Sequence, residues 1–220
     1  MLIPNYDNLN KKKKNEKEHL YKELHPFYKN VSRTLICGGS GSGKTNLLAH
    51  ILLSPLMYYE QCTIFTKTPD QAKYIEMKTI FDKIAKDAKI PEFFFIVNGT
   101  VPDPDTLDDK IYRTWVFDDM ILEKKEFEKI AKTFVLGRHK KISPIFLSQS
   151  YFATPKVIRI NCSHFHLFGV GGRREIRLIL QDHPGITEKQ YIDNTLNFGF
   201  ISINKLNKFI GRNLDEPLDY

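Results

Sequence analysis

A mainly parallel α/β sheet, covered by helices on both faces, is the architecture this sequence predicts. Short apolar runs recur along the chain, and most are followed by a segment of helical periodicity. A glycine-rich stretch, Gly38-Gly39-Ser40-Gly41-Ser42-Gly43, joins the first run to the first helix. Strands that alternate with helices need crossover connections, and those place helices on both faces of a parallel sheet.

The 220 residues suffice for one such domain with a full core and are too few for two large ones. With 41% hydrophobic and 27% charged residues, the chain has the balance of a globular protein. No run of 18 apolar residues appears, so no membrane span is expected, and the first residues do not read as a secretory signal. Cys37, Cys62 and Cys162 are odd in number and far apart, which fits reduced thiols and an intracellular setting.

The elements follow in order. Residues 1–30 read as a polar, basic extension that carries the run Lys11 to Lys14 and ends in the apolar anchor His25-Pro26-Phe27-Tyr28. The domain proper is expected over 31–220. Strands are expected at 34–37, 62–66, 93–97, 114–117, 145–147 and 165–170, and helices at 44–53, 69–89, 124–136, 173–181 and 187–196. In the second helix, Ala72, Ile75, Ile80, Ile84 and Ala88 are the expected apolar face. Thr187 and Gln190 have the spacing of a capping box. Residues 198–203 and 208–210 are placed to close the chain as a hairpin. The acidic loop with Asp103, Asp105, Asp108 and Asp109 reads as solvated.

The chemistry begins at the glycine loop. Gly38, Gly43, Lys44 and Thr45 satisfy every fixed position of the phosphate-binding pattern G-x-x-x-x-G-K-[ST], with an apolar strand before and a helix after. Glycines are needed because backbone N–H groups must turn inward around phosphate oxygens. Residues Gly38 to Gly43, with Lys44, Thr45 and Asn46, are therefore the expected ATP-binding set: Lys44 for the β- and γ-phosphates, Thr45 for Mg²⁺. This makes the fold a P-loop NTPase of the RecA-like class. Val116-Phe117-Asp118-Asp119 is an apolar strand ending on carboxylates, which assigns Asp118 to Mg²⁺ and Asp119 to polarising the attacking water. Many ATPases have the longer Glu at the second position.

Ser148-Gln149-Ser150 ends the next strand. In P-loop ATPases that insert such a strand between the two motif strands, its last polar residue lies beside the γ-phosphate, so Gln149 is a catalytic candidate. Arg138 precedes that strand, and its planar fork suits the charge of a phosphoryl transition state, reached in a neighbouring subunit. Arg173 and Arg174, with Arg177 close behind, are rivals for that role or for DNA phosphates; solvated surface is the plain alternative for each cluster. The net charge of +7 is compatible with a polyanionic partner. His164 and His166 share one face of a strand, with no third metal ligand near them in sequence.

Taken together, four segments resemble the FtsK–HerA superfamily of DNA-pumping ATPases, specifically the poxvirus-type genome-packaging ATPases of large DNA viruses, virophages and Polinton-like elements. They are His25-Pro26-Phe27 with the loop 38–45; residues 116–119; Arg138-His139-Lys140-Lys141 leading to Phe146-Leu147-Ser148-Gln149-Ser150-Tyr151; and Pro155-Lys156-Val157-Ile158-Arg159-Ile160-Asn161-Cys162. The resemblance covers about residues 25–212. It implies an ATP-hydrolysing homo-oligomeric ring, pentamer or hexamer, that drives double-stranded DNA into a preformed capsid and docks on capsid proteins. It also implies a host-cytoplasmic (viral factory) or virion-associated location, and a chain without the large N-terminal domain or membrane anchor of cellular members. A nucleoside or nucleotide kinase, an ATP-dependent helicase and a nucleotide-gated assembly module are the competing readings of the same loop.

Overall fold

The computed structural model describes residues 25–28, 31–118, 120, 124–214 and 216–218. Among these residues nine strands form one sheet, in the order β3-β2-β4-β5-β1-β6-β7-β8-β9. These are β1 (Thr34–Cys37), β2 (Gln61–Thr66), β3 (Phe94–Val97), β4 (Arg113–Asp118), β5 (Ile142–Ser148), β6 (His164–Phe168), β7 (Phe200–Asn204), β8 (Phe209–Arg212) and β9 (Glu216–Pro217). Neighbours pair in parallel from β3 to β6, and the remaining three strands add antiparallel, as the expected terminal hairpin and one short further strand.

Side chains alternate across the sheet and build two cores. Ile36, Ile64, Val116, Ile145 and Leu147 face helices α1 (Lys44–Leu53) and α2 (Ala72–Ala88). Leu35, Phe65, Phe117, Phe146 and Phe165 face the other way, where α3 (Lys124–Leu136), α4 (Lys156–Asn161), α5 (Arg173–Asp182) and α6 (Glu188–Asn194) contribute Ile130, Phe134, Ile158, Ile179 and Tyr191. Helix α4 carries no sequence signal of its own: at six residues it is too short for a hydrophobic period to register. The capping box at Thr187 and Gln190 is formed.

One helix face differs from expectation. Ile75, Ile80 and Ile84 of α2 are exposed (52%, 37% and 43%), while Tyr74, Met77, Phe81 and Ala85 are buried. At 100° per residue the isoleucines lie on both flanks of the helix, whereas Tyr74, Met77, Phe81 and Ala85 form a single stripe. That stripe carries the larger rings, and Phe81 stacks on Phe94 with centroids 4.4 Å apart. The acidic loop is solvated as expected, with the Asp103, Asp105 and Asp108 side chains 41–56% exposed, and it also carries ion pairs. Lys132 bridges Asp103 and Asp105 at 2.8 and 2.6 Å, and Arg113 pairs with Asp108 at 3.3 Å.

The apolar anchor is a built part of the core. Phe27 and Tyr28 are buried, and the two β6 histidines hold them. His164 Nε2 lies 2.7 Å from the Phe27 carbonyl, to which Asn204 Nδ2 also donates at 2.9 Å. Tyr28 Oη shares a 2.5 Å hydrogen bond with His166 Nε2, whose Nδ1 lies 2.9 Å from Ser202 Oγ. Most of the N-terminal extension, including Lys11 to Lys14, lies outside the described residues. The three cysteines are free and buried, and burial pushes the Cys37 thiol up to about 12.

Burial also lowers His164 to about 4, and His166 and His183 to about 3, because a charged imidazole is poorly solvated there. A depressed histidine pKa leaves the unfolded chain holding more protons below pH 6.5. The contribution is therefore fully present above that pH and is lost as pH falls towards 4 and 3, by up to about 1.4 kcal/mol per unit for each ring. Thermal unfolding followed from pH 7.5 to 4.5 should show a falling melting temperature below pH 6.5; a flat profile down to pH 5 would contradict it.

Candidate active site

The site lies where β1, β4 and β5 end. Strand β5 runs between β4 and β1, as the order of the motifs leads one to expect, with Cys37 opposite Ser148 and Leu147 opposite Asp118. Parallel strands share a carboxyl end, so the loop after β1, the carboxylate at the end of β4 and the polar turn after β5 come out side by side.

Local sequence shapes the loop. A Cβ on Gly38 would lie 2.5 Å from Phe168 Cβ and 2.8 Å from Ser42 Oγ, so only hydrogen fits there. Gly41 and Gly43 have φ of +71° and +104°, and Gly43 caps α1 without a side-chain hydrogen bond. The first-turn amides of α1 thus point at the loop interior, with the positive end of the helix dipole behind them. The Gly38 N–H donates to the Ser148 carbonyl at 3.1 Å, tying the loop to β5. Lys44 Nζ donates to the carbonyls of Gly38 and Gly39 at 2.7 and 2.8 Å, so its ammonium sits over the loop. Ser42 Oγ is buried without a hydrogen-bond partner among the described residues.

A cleft of about 910 Å³ opens beside the loop. Ser40, Gly41, Lys44, Thr45, Asp118 and Gln149 line it together. Two groups that sequence reasoning missed belong to it. Gln71, just before α2, lines the wall, and the buried Tyr74 donates a hydrogen bond from its hydroxyl to Asp118 Oδ2. No sequence signal marks this pairing, because the two residues are 44 apart and meet only when α2 packs over β4. Thr45 and Asp118 offer hard oxygen donors of the kind Mg²⁺ takes, in the small number it needs when phosphates and water complete its shell. Asp119 lies outside the described residues.

Gln149 is exposed at the cleft, and its serine neighbours shape the turn. Ser148 Oγ donates to the Ser150 carbonyl at 2.8 Å, and Thr154 Oγ1 donates to Ser148 Oγ at 2.7 Å. Ser150 Oγ accepts from the Ala153 amide at 3.0 Å and donates to Glu175 of α5.

Other expected residues lie elsewhere. Arg138 is exposed in the turn Gly137–Lys140, which precedes β5. The seven residues of β5 separate that turn from the loop end of the sheet by roughly 20 Å, so Arg138 does not join its own chain's site. Arg173 and Arg174 are exposed at the start of α5, on the cleft's side of the sheet. Asn46 turns away from the phosphate cleft and lines a second one of about 400 Å³ across α1. The second cleft's walls include Phe168, Phe198 and Phe200, with His50 and Asn213 at polar edges. Flat apolar walls with a few polar groups suit a heteroaromatic ring.

The Tyr74 bond fixes one oxygen of the carboxylate through a charge-assisted hydrogen bond, worth about 1.5–3 kcal/mol. Tyr74→Phe conserves volume and removes only that donor. The Mg²⁺ concentration needed for half-maximal binding of a non-hydrolysable ATP analogue should rise about tenfold, from the low end of that range. Metal-free nucleotide binding should hold. An equal loss with and without Mg²⁺ would mark Tyr74 as merely structural.

Solved structures share this fold. B204, the DNA-packaging ATPase of Sulfolobus turreted icosahedral virus, superposes with a TM-score of 0.59 at 12% identity, over 86% of this chain and 99% of its own. The genome-packaging NTPase B204 of Sulfolobus turreted icosahedral virus 2, in complex with AMP, gives 0.55 at 10% identity over 86% and 98%. The cytoplasmic domain of the type VII secretion ATPase EccC of Thermomonospora curvata gives 0.54 at 12% identity, over 87% of this chain and 26% of its own. At these identities the likeness is one of fold. No curated protein matches the sequence. A family model does: the one described as poxvirus A32 protein matches residues 16–208, most of the chain. The phosphate loop, the inserted β5 and this match together place the chain in the poxvirus A32 protein family.

Proposed function

We propose that the chain is an ATP-hydrolysing motor that drives double-stranded DNA into a viral capsid. The observation that carries this reading is the single cleft into which β1, β4 and β5 deliver Lys44, Thr45, Asp118 and Gln149. A simple nucleotide-binding module has no need of Gln149. The relatives of like fold include packaging ATPases, and B204 has been captured with AMP and with ATP-γS.

In this reading the triphosphate lies along the loop of residues 38–45 and the base enters the aromatic cleft beside Asn46. Lys44 neutralises the β- and γ-phosphates. Thr45 and Asp118 would hold Mg²⁺, which would supply positive charge to offset that of the phosphates. Asp119 polarises a water for attack on the γ-phosphorus and accepts its proton, and Gln149 orients that water. Arg138 faces away from its own nucleotide, which suits an arginine that completes the site of the next subunit in a pentameric or hexameric ring. Docking on capsid proteins, in the host cytoplasm at a viral factory or on the virion, belongs to the same reading. Among the described residues no helix is long and apolar enough to cross a membrane.

Phosphate release measured with and without duplex DNA tests the motor. Hydrolysis should be stimulated by DNA and abolished in Lys44→Ala. Transfer of phosphate to a nucleoside, indifferent to DNA, would sink the motor and favour a kinase. Arg138→Ala should lower turnover by about a thousandfold or more, the scale of an arginine finger. Mixing it with Lys44→Ala subunits should restore activity at interfaces that pair an intact loop with an intact Arg138. No recovery from mixed rings that assemble normally would rule out a role in trans.

A further inference from the structure

Helix α5 has an unneutralised basic face. Arg173, Arg177 and Gln181 follow one another at i, i+4, i+8 and Arg174 flanks them, so one stripe of the helix carries three guanidinium groups. All three arginines are exposed, and none forms an ion pair among the described residues. The acids of the same helix are engaged elsewhere. Glu175 accepts a hydrogen bond from Ser150 Oγ, while Asp182 accepts one from Tyr151 Oη at 3.0 Å and pairs with Arg159 at 3.6 Å. Ile179 pins the opposite side in the core. Acids turned inward and arginines turned outward leave positive charge with no anionic partner among the described residues, which is the footprint of a polyanion-binding surface.

Two contacts tie this face to the ATP cleft. The turn after Gln149 meets α5 through the Ser150–Glu175 bond, and through Phe152, over whose ring the Arg174 guanidinium lies at 4.0 Å. Phe152 is 49% exposed, so the pair stands at the surface beside the arginine stripe. Beyond β6, Gly171 and Gly172 have nothing within 4 Å of where a Cβ would sit, so the approach to the helix is open.

We propose that the Arg173–Arg174–Arg177 face of α5 grips the phosphate backbone of duplex DNA, and that Glu175 couples this grip to the nucleotide through the Gln149–Ser150 turn. The assignment rests on the motor reading above. Arg173 and Arg177 stand one helical turn apart, about 6 Å. Charges on one DNA strand recur at every nucleotide, about every 3.4 Å of duplex axis, so the two arginines can each meet a phosphate of their own. Displacement of Gln149 when the γ-phosphate leaves pulls on Ser150, and Glu175 passes that pull to α5.

The test uses the full chain and a duplex of arbitrary sequence. In Arg173→Ala/Arg177→Ala, affinity measured by fluorescence anisotropy across a salt series should fall. The slope of log affinity against log salt should become shallower by roughly 2, at about 0.9 for each phosphate no longer neutralised. Glu175→Ala should bind the duplex as the wild type does, yet lose about fivefold or more of the DNA stimulation of phosphate release, the small end of a coupling between sites. Unchanged slope and affinity in the double variant would overturn the surface. So would lost hydrolysis with duplex binding intact, which would hand the arginines to a neighbouring nucleotide. A Glu175→Ala protein with full stimulation would overturn the coupling. If wild-type hydrolysis ignores DNA altogether, the motor reading itself fails and this surface fails with it. A stimulated wild type with an unaffected double variant sinks the surface alone.

Discussion

The parallel ladder β4–β5–β1 is the constraint on which the site depends. Its hydrogen bonds hold Asp118 level with Leu147, and Cys37 level with Ser148, so the three functional turns leave the sheet within one or two residues of the same height. Both faces of these strands are covered, and their interiors are apolar as a consequence. Polar chemistry is pushed to the carboxyl rim, where the chain escapes burial. A slip of one residue in the β5 pairing would reverse every side chain on that strand and carry Gln149 away from Lys44.

At that rim the energetic problem is concentrated negative charge. The chain meets it mainly with backbone: amides exposed by Gly41 and Gly43 in the left-handed region, and the start of α1 behind them. Lys44 adds a point charge held over the loop by two carbonyls. Tyr74 reaches across from the buried stripe of α2 and holds the Asp118 carboxylate to one side. The aromatic cleft lies beyond α1 on the other side. The two clefts are thus separated by a helix whose own first turn closes the glycine loop.

Away from the rim, the sheet doubles as an anchor for the N-terminal segment. The anchor buries two aromatic side chains, each worth about 1.5–3 kcal/mol of burial. It also satisfies the polar atoms of two neutral imidazoles that would otherwise be stranded in the core. The histidines that alternate on β6 are therefore structural partners of Phe27 and Tyr28.

The sequence by itself determined the phosphate loop, the order of strands and helices, and the motif carboxylate, because each rests on local chemistry. Glycine is read wherever φ must be positive, and strand or helix wherever period 2 or 3.6 persists. The place of one strand followed from motif order: β5 indeed lies between β4 and β1. What local pattern could not supply was contact between distant segments. The Tyr74–Asp118 bond, the Ser150–Glu175 bond and the aromatic wall from the terminal hairpin join residues far apart in the chain. The buried face of α2 escapes the sequence for the same reason. Counting aliphatic residues favours Ile75, Ile80 and Ile84, whereas packing against Phe94 selects Phe81 and its stripe. Arg138 shows the same divide: its chemistry is legible in sequence, and its position at the far end of β5 was decided only by the direction of the strand.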